Sequence, residues 1–381
     1  MGFGKTAMEN NLIRLSKSSI SNDEKQAVME VLDKEYLGMG EKVNAFEKNL
    51  SKFFGRTAIC VSSGTSALQL ALESCGFNRG DQVLLPTLTY VASFQAITAA
   101  GLIPIACDIN CENLLLDLSK LKNKINIKTK AIMPVHYSGD PGNLNDIYDF
   151  AYKYNLRVIE DAAHAFGSFY KGKLIGNFGD ISCFSFDGIK NITSGEGGCI
   201  VSNDKNLIKL VKDKRLLGIS KDSEMRYINK RSWEFNVNTQ GWRYHMSDIM
   251  AAIGISQLNK FYKFAKIRKK IAKIYDEEFL SVHNVKTFKR DYDQIVPHIY
   301  VIRVPGLKNR KKLRDYLLEN GIQTGIHYNL NHTLSFFKKF NQERLEQSEK
   351  IFNEILTLPL HTDITERDVK FVVNSIKEFL R

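Results

Sequence analysis

The chain has 381 residues, 43% hydrophobic and 25% charged, with a formal net charge of +12. That balance excludes a generally disordered chain, and the length calls for one large domain plus a smaller one. The positive excess fits a lysine-rich solvated surface or attraction of an anionic small molecule. Neither zinc-finger spacing nor an aromatic RNA-binding signature supports nucleic acid as a partner.

At the N-terminus, "MGFGKT" matches a myristoylation pattern and the tail of a phosphate-binding loop only loosely, and reads as a disordered leader. "SNDEKQAVMEVLDKEYL" opens with a capping box, Ser21 to Glu24, and continues at helical period. Strand-like and helix-like runs then alternate. "TAICV" is a strand and "SSGTSALQLALESCG" turns into a helix; "DQVLLP" is a strand and "SFQAITAAG" a helix. "IPIACD" and "TKAIMPVH" are strands, "LNDIYDFAYKYN" a helix, and "LRVIED" a strand ending at Asp161. Ile181–Phe186 and Gly197–Val201 read as a strand and its return. Short apolar strands separated by helices imply a mostly parallel sheet covered on both faces, so the expected fold class is α/β.

After Met246 the pattern changes to a long helical stretch, strand-like "HIYVIRV", and helices at "KKLRDYLLENG" and "ERDVKFVVNSIKEFL". Residues 1–250 are expected to form a large domain, with its leader, and residues 251–381 a smaller C-terminal α+β domain. Six cysteines all precede residue 200, and Cys107 and Cys111 lack a second pair or a histidine at metal-binding spacing. They read as reduced thiols of a cytoplasmic protein. No apolar run approaches the about 20 residues of a membrane helix, and no signal core is present.

Ligands of parallel sheets bind at the carboxyl ends of strands. Gly64 and Thr65 lie at such an end, in a turn able to bind phosphate through helix N–H groups or present only for its conformation. Tyr90 can stack on a planar ring or fill a core. Asp161 can hold a pyridinium nitrogen or cap a turn, and His164 stands three residues beyond it. Lys190 follows the strand that ends near Ser185. A buried cation there is costly, whereas a neutral, nucleophilic amine suits a Schiff base with an aldehyde. In order, these are an anion cradle, a ring platform, a partner for a ring nitrogen and a Schiff-base lysine: the parts a pyridoxal phosphate site needs.

Over nearly its whole length, in "GEKVNAFEKNL", "SSGTSAL", "PTLTYVAS", "VIEDAAHAFGS", "SFDGIKNITSGEGG", "MSDIMAAIGISQL" and "GIQTGIHY", the chain resembles the DegT-type sugar aminotransferases. These are pyridoxal-phosphate enzymes of the aspartate-aminotransferase fold. The resemblance implies that Lys190 carries the cofactor and moves protons, and that Asp161 pairs with its ring nitrogen. It implies that His164 lies close to the ring, that Tyr90 stacks on it, and that Gly64, Thr65 and Ser185 bind its phosphate. It further implies a homodimer with shared sites, L-glutamate as donor, pyridoxamine phosphate as the intermediate form, and a keto sugar, nucleotide-linked, as acceptor for a surface glycan.

Two departures stand out. "GWRYHM" replaces the common G-Y-N-Y-R-M, so Arg243 stands where an asparagine reaches the partner's cofactor phosphate, and His245 replaces an arginine. A guanidinium is able to take over the phosphate contact. "HYNLNH" has Asn329 after Tyr328, where proline often follows. A subgroup that dehydrates sugars carries histidine in place of the lysine; this chain keeps Lys190, which favours amino transfer. The rival readings are a dehydratase on the same scaffold and a cofactor-binding regulator without turnover.

Overall fold

The computed structural model describes residues 12–231, 233–307, 309–341 and 343–381. The "MGFGKT" leader lies outside them. Twelve strands are present among the described residues: β1 (Thr57–Val61), β2 (Gln82–Pro86), β3 (Ile103–Cys107), β4 (Thr129–Ile132), β5 (Arg157–Asp161), β6 (Phe169–Tyr170), β7 (Lys173–Leu174), β8 (Ile181–Ser185), β9 (Gly198–Ser202), β10 (Lys286–Thr287), β11 (Tyr300–Arg303) and β12 (Ile355–Leu358). The helices are α1 (Asn22–Asp33), α2 (Glu41–Phe54), α3 (Gly64–Ser74), α4 (Val91–Ala99), α5 (Leu144–Tyr154), α6 (Lys205–Lys214), α7 (Asp222–Arg226), α8 (Asp248–Phe279), α9 (Arg310–Glu319), α10 (Glu346–Phe352) and α11 (Glu366–Phe379).

Seven strands form the central sheet in the order β1-β9-β8-β5-β4-β2-β3. The pairs from β8 to β3 are parallel, and β9 is antiparallel to both β1 and β8. Only β9 therefore runs against the rest, and the carboxyl ends of β1, β8, β5, β4 and β2 share one edge. Strand interiors are almost wholly buried because helices cover both faces, which is why they read as continuous apolar runs. One core, with Leu68, Leu72, Phe94 and Ile97, lies under α3 and α4. The other, with Phe46, Leu50, Phe184 and Phe186, lies under α2 and α8.

Local chemistry sets the helix starts. Ser21 and Glu24 form the expected capping box of α1. At α3, Ser63 Oγ accepts from Ser66 N at 3.0 Å and Ser66 Oγ accepts from Ser63 N at 2.9 Å. The strand expected over "TKAIMPVH" stops at Ile132. Pro134 has no N–H to give a ladder, and the chain leaves the sheet there, keeping only a bridge from Val135 to Asp161.

Helix α8 spans 32 residues, and the division expected at 250/251 falls in its first turn. Beyond it, β10, β11 and β12 form an antiparallel sheet over a core containing Tyr275, Ile302, Leu313 and Val372. Gly325 pairs with Thr357, and Ile13 pairs with Ile322. The start of the described chain is thereby attached to the C-terminal sheet.

Candidate active site

At the shared carboxyl edge lies a cavity of about 450 Å³. Gly64, Thr65, Tyr90, Asp161, His164, Ser185 and Lys190 all line it. Each follows from the topology: β1 leads into the Ser63–Thr65 turn, β2 leads toward Tyr90, β5 ends at Asp161, and β8 ends at Ser185, five residues before Lys190.

Lys190 is partly buried. Among the described residues its Nζ has neither a hydrogen-bond nor an ion-pair partner. Burial lowers its pKa to about 8, against the opposing pull of Asp161 and Asp187. At pH 7 about a tenth of this amine is then neutral, far more than for an ordinary lysine, which makes it a candidate nucleophile. Asp161 is 5% exposed and held on both oxygens: Ser93 Oγ donates to Oδ2 at 2.6 Å and Ala163 N to Oδ1 at 3.2 Å. Buried, and without an ion pair among the described residues, this carboxylate suits a protonated ring nitrogen.

The imidazole of His164 is also buried. Ser138 N donates to its Nδ1 at 3.3 Å, so that nitrogen accepts and the proton sits on Nε2. Nε2 then donates to Tyr328 Oη at 2.8 Å. Burial, followed by the Lys190 charge, holds the His164 pKa well below the ordinary range, so the ring is neutral. Tyr328 lines the cavity, and with Nε2 donating its hydroxyl hydrogen is free for another acceptor. Its ring lies 5.4 Å from that of Tyr90, tilted by 49°. Tyr90 itself is 58% exposed, at the open side.

The phosphate-sized end of the cavity is a cradle built around a missing side chain. A Cβ on Gly64 would stand 2.8 Å from Ser185 Cβ. The α3 N-terminus and Ser185 can therefore converge only with glycine there. Among the described residues, the N–H groups of Gly64 and Thr65 have no acceptor, as first-turn donors of a helix do not unless a ligand arrives. A cradle of free N–H groups, a buried aspartate and a desolvated lysine together fit pyridoxal phosphate.

Arg243 is exposed and does not line this cavity. Its segment adds to the β1 edge: Val61 bridges His245, and Ser62 N donates to Tyr244 O at 2.7 Å. On its other side the segment bridges Leu216 through Arg243. His245 is partly buried, its pKa lowered to about 4, first by burial and then by Arg226 and Arg215. The arginine charge of the common pattern is therefore absent there.

The cavity also contains residues that reading along the chain had not picked out as site residues. Asp187, Glu196, His298, His327 and Tyr328 line it, and Ser93 positions Asp161. The His298 ring lies 4.4 Å from that of His164, and its Nδ1 is buried without a partner among the described residues. The one local signal for His327 and Tyr328 was the "HYNLNH" segment itself.

The model of the DegT/DnrJ/EryC1/StrS aminotransferase family matches residues 18–377. GDP-perosamine synthase of Escherichia coli O157:H7 is 36% identical over 374 residues, covering 96% of this chain and 98% of that protein. Among solved structures, Helicobacter pylori PseC, an aminotransferase involved in the biosynthesis of pseudoaminic acid, superposes with a TM-score of 0.89. It is 26% identical, and 96% of this chain and 98% of that chain are covered. The putative sugar aminotransferase Spr1654 from Streptococcus pneumoniae matches in its PLP form with a TM-score of 0.88 and 28% identity, over 96% and 98% of the two chains. Its PMP form also matches with a TM-score of 0.88.

Proposed function

Because the chain belongs to the DegT/DnrJ/EryC1/StrS aminotransferase family and is a pyridoxal-phosphate-dependent sugar aminotransferase, we propose that it moves an amino group from L-glutamate to a nucleotide-linked keto sugar. The observation that carries this reading is the unpartnered amine of Lys190, its pKa near 8, in one cavity with Asp161 and the Gly64–Ser185 cradle. The nucleotide-linked acceptor is supported by the likeness to a GDP-perosamine synthase and by the basic balance of the chain.

The free N–H groups of Gly64 and Thr65, with Ser185 Oγ, would hold the cofactor phosphate. Asp161 would hold the protonated ring nitrogen, and Tyr90 would lie against the ring. Bound there, pyridoxal phosphate supplies an aldehyde carbon for amine exchange and a ring that accepts the electron pair released at the donor carbon. Lys190 Nζ, whose lowered pKa leaves more of it neutral near pH 7 than an ordinary lysine, would take the proton from the donor carbon and hold it for return. Asp161, oriented by its two donors, would keep the opposing proton in place. His164, fixed as the neutral Nε2–H tautomer, orients Tyr328, whose hydroxyl would be free to donate to the ligand.

The enzyme acts as a homodimer in this reading, with Arg243 turned to the partner's cofactor phosphate. Its exposed position, on the segment that pairs with the β1 edge, supports this, because among the described residues its guanidinium has no partner. Purified enzyme incubated with glutamate and a panel of nucleotide-linked and free keto sugars, followed by mass, tests the assignment. An amino sugar formed with equimolar 2-oxoglutarate is expected. Sugar dehydration without 2-oxoglutarate release would overturn it.

A further inference from the structure

We propose that the groove between α9 and the Leu15–Ser16 segment is a binding site for a phosphate- or diphosphate-bearing small molecule, separate from the cofactor cavity. The groove encloses about 840 Å³ and takes Arg310, Lys311 and Arg314 from one side of α9. Lys311 is neutralised by Asp315 at 2.6 Å. Arg310 and Arg314 make no ion pair among the described residues, although they are neighbours one helical turn apart. Two adjacent guanidinium groups without a counter-charge are a standing repulsion that an anion removes.

Their hydrogen bonds separate their roles. Arg310 is pinned: its guanidinium donates to Phe352 O and, at 3.2 Å, to Ile355 O, and it lies 4.4 Å from the Phe352 ring centre. Arg314 is not pinned. Its Nε is buried with no acceptor, and Nη2 reaches Thr324 O only at 3.5 Å. Arg314 thus has donors to spare. A guanidinium presents them in a planar fork that matches phosphate oxygens.

The helix adds to the same field. Arg310 and Lys311 begin α9, its first turn has no acidic residue, and the dipole is positive at that end. Burial and the charge of Arg314 both lower the Arg310 pKa, in keeping with a site that has positive charge in excess. Leu318, one turn beyond Arg314 on the same stripe of α9, and Ile326 add apolar lining on which a base or sugar ring can lie.

The groove and the cofactor cavity lie back to back. Ile326 lines the groove and the next residue, His327, lines the cavity. The two linings have no residue in common. An occupant of the groove would therefore not compete for the cofactor's place.

Calorimetric titration of the cofactor-loaded enzyme with inorganic pyrophosphate tests the proposal, because the cofactor's own phosphate then fills the cradle. Saturable binding at one site per chain is expected. Arg314→Gln should weaken it at least tenfold, with the cofactor's visible absorbance unchanged. Lys273→Gln, in a separate lysine-rich groove, should bind as the parent does. If Arg314→Gln fails to fold, Arg314→Lys, which keeps the charge and loses the fork, should still bind several-fold more weakly. GDP and UDP form the second arm. Affinity above that of pyrophosphate, with the surplus lost in Leu318→Asp, identifies a nucleoside diphosphate; equal affinity identifies the diphosphate group alone. Absence of saturable binding, or parental affinity in folded Arg314 variants, overturns the site.

Discussion

Ser93 Oγ donates to Asp161 Oδ2 at 2.6 Å, tying the first turn of α4 to the end of β5. With Ala163 N on the other oxygen, the carboxylate is oriented before any ligand arrives. Asp161→Asn keeps the shape and loses the charge. It should retain cofactor but reduce kcat by about 100-fold or more, the scale on which a positioned proton-holding group acts. Ser93→Ala removes one hydrogen bond to a charged group and should cost about 2 kcal/mol of transition-state stabilisation. Steady-state kinetics on both variants check the ranking; near-parental rates for Asp161→Asn would reduce Asp161 to a turn cap.

Lys190 has a pKa lowered to about 8. In cofactor-free enzyme its reactivity toward an amine-directed reagent should therefore rise through about pH 8, well below the range of the surface lysines. Peptide mapping of the labelled product across pH checks this. Lys190→Ala should bind pyridoxal phosphate without forming the borohydride-stable adduct of the parent; an adduct persisting in the variant would place the reactive amine elsewhere.

Gly64→Ala would set a Cβ 2.8 Å from Ser185 Cβ. Overpacking of this kind costs about 1–3 kcal/mol, and here it falls on the proposed phosphate cradle. Cofactor affinity should fall by one to two orders of magnitude while the circular dichroism of the apoenzyme stays parental. Adding Ser185→Gly removes the clashing atom and should recover part of the loss. Ser185→Gly alone gives the cost of losing Ser185 Oγ, and a double variant as weak as the two single losses combined, or weaker, would show that the clash is not what weakens binding.

The imidazoles of the site resist protonation. Burial holds His164 and His298 well below the ordinary range, and His327 and His245 at about 4. The unfolded chain takes up these protons near pH 6.5. Between about pH 6.5 and 4 the unfolded state therefore binds more protons, and stability falls as acid is added. Tm should drop progressively from pH 7 to pH 5. Substituting His327 by Gln should flatten that profile, and an unchanged slope would show that His327 titrates normally.

Arg243 is tested by complementation. Mixing Arg243→Ala with Lys190→Ala subunits leaves, in each heterodimer, one site with both lesions and one with neither, provided the sites are shared. Activity should then partly return. A verified heterodimer with no regained activity would confine Arg243 to its own chain.

Much of the scaffold was legible because strand interiors buried on both faces must be apolar runs, and glycine, serine and proline punctuate them. β1, β2, β3, β5 and β8 appear close to where their residues suggested. Asp161, Ser185 and Lys190 could be read as candidates for the same reason: each stands at or just past such a run. β4 ended early because Pro134 interrupts a ladder whose apolar pattern continues past it.

Only the tertiary structure decided which residues from distant segments meet. Ser93 reaches Asp161 because α4 docks across the sheet edge. His298, His327 and Tyr328 reach Lys190's cavity because the C-terminal sheet pairs Gly325 with Thr357 and sets that segment against the large domain's strand ends. The Arg243 segment joins the sheet because His245 pairs with Val61 and Tyr244 O accepts from Ser62 N. Periodicity along a chain reports which face of an element is buried, a local property of backbone geometry. Contact between residues far apart in sequence depends on packing and on strand register, which no local pattern encodes.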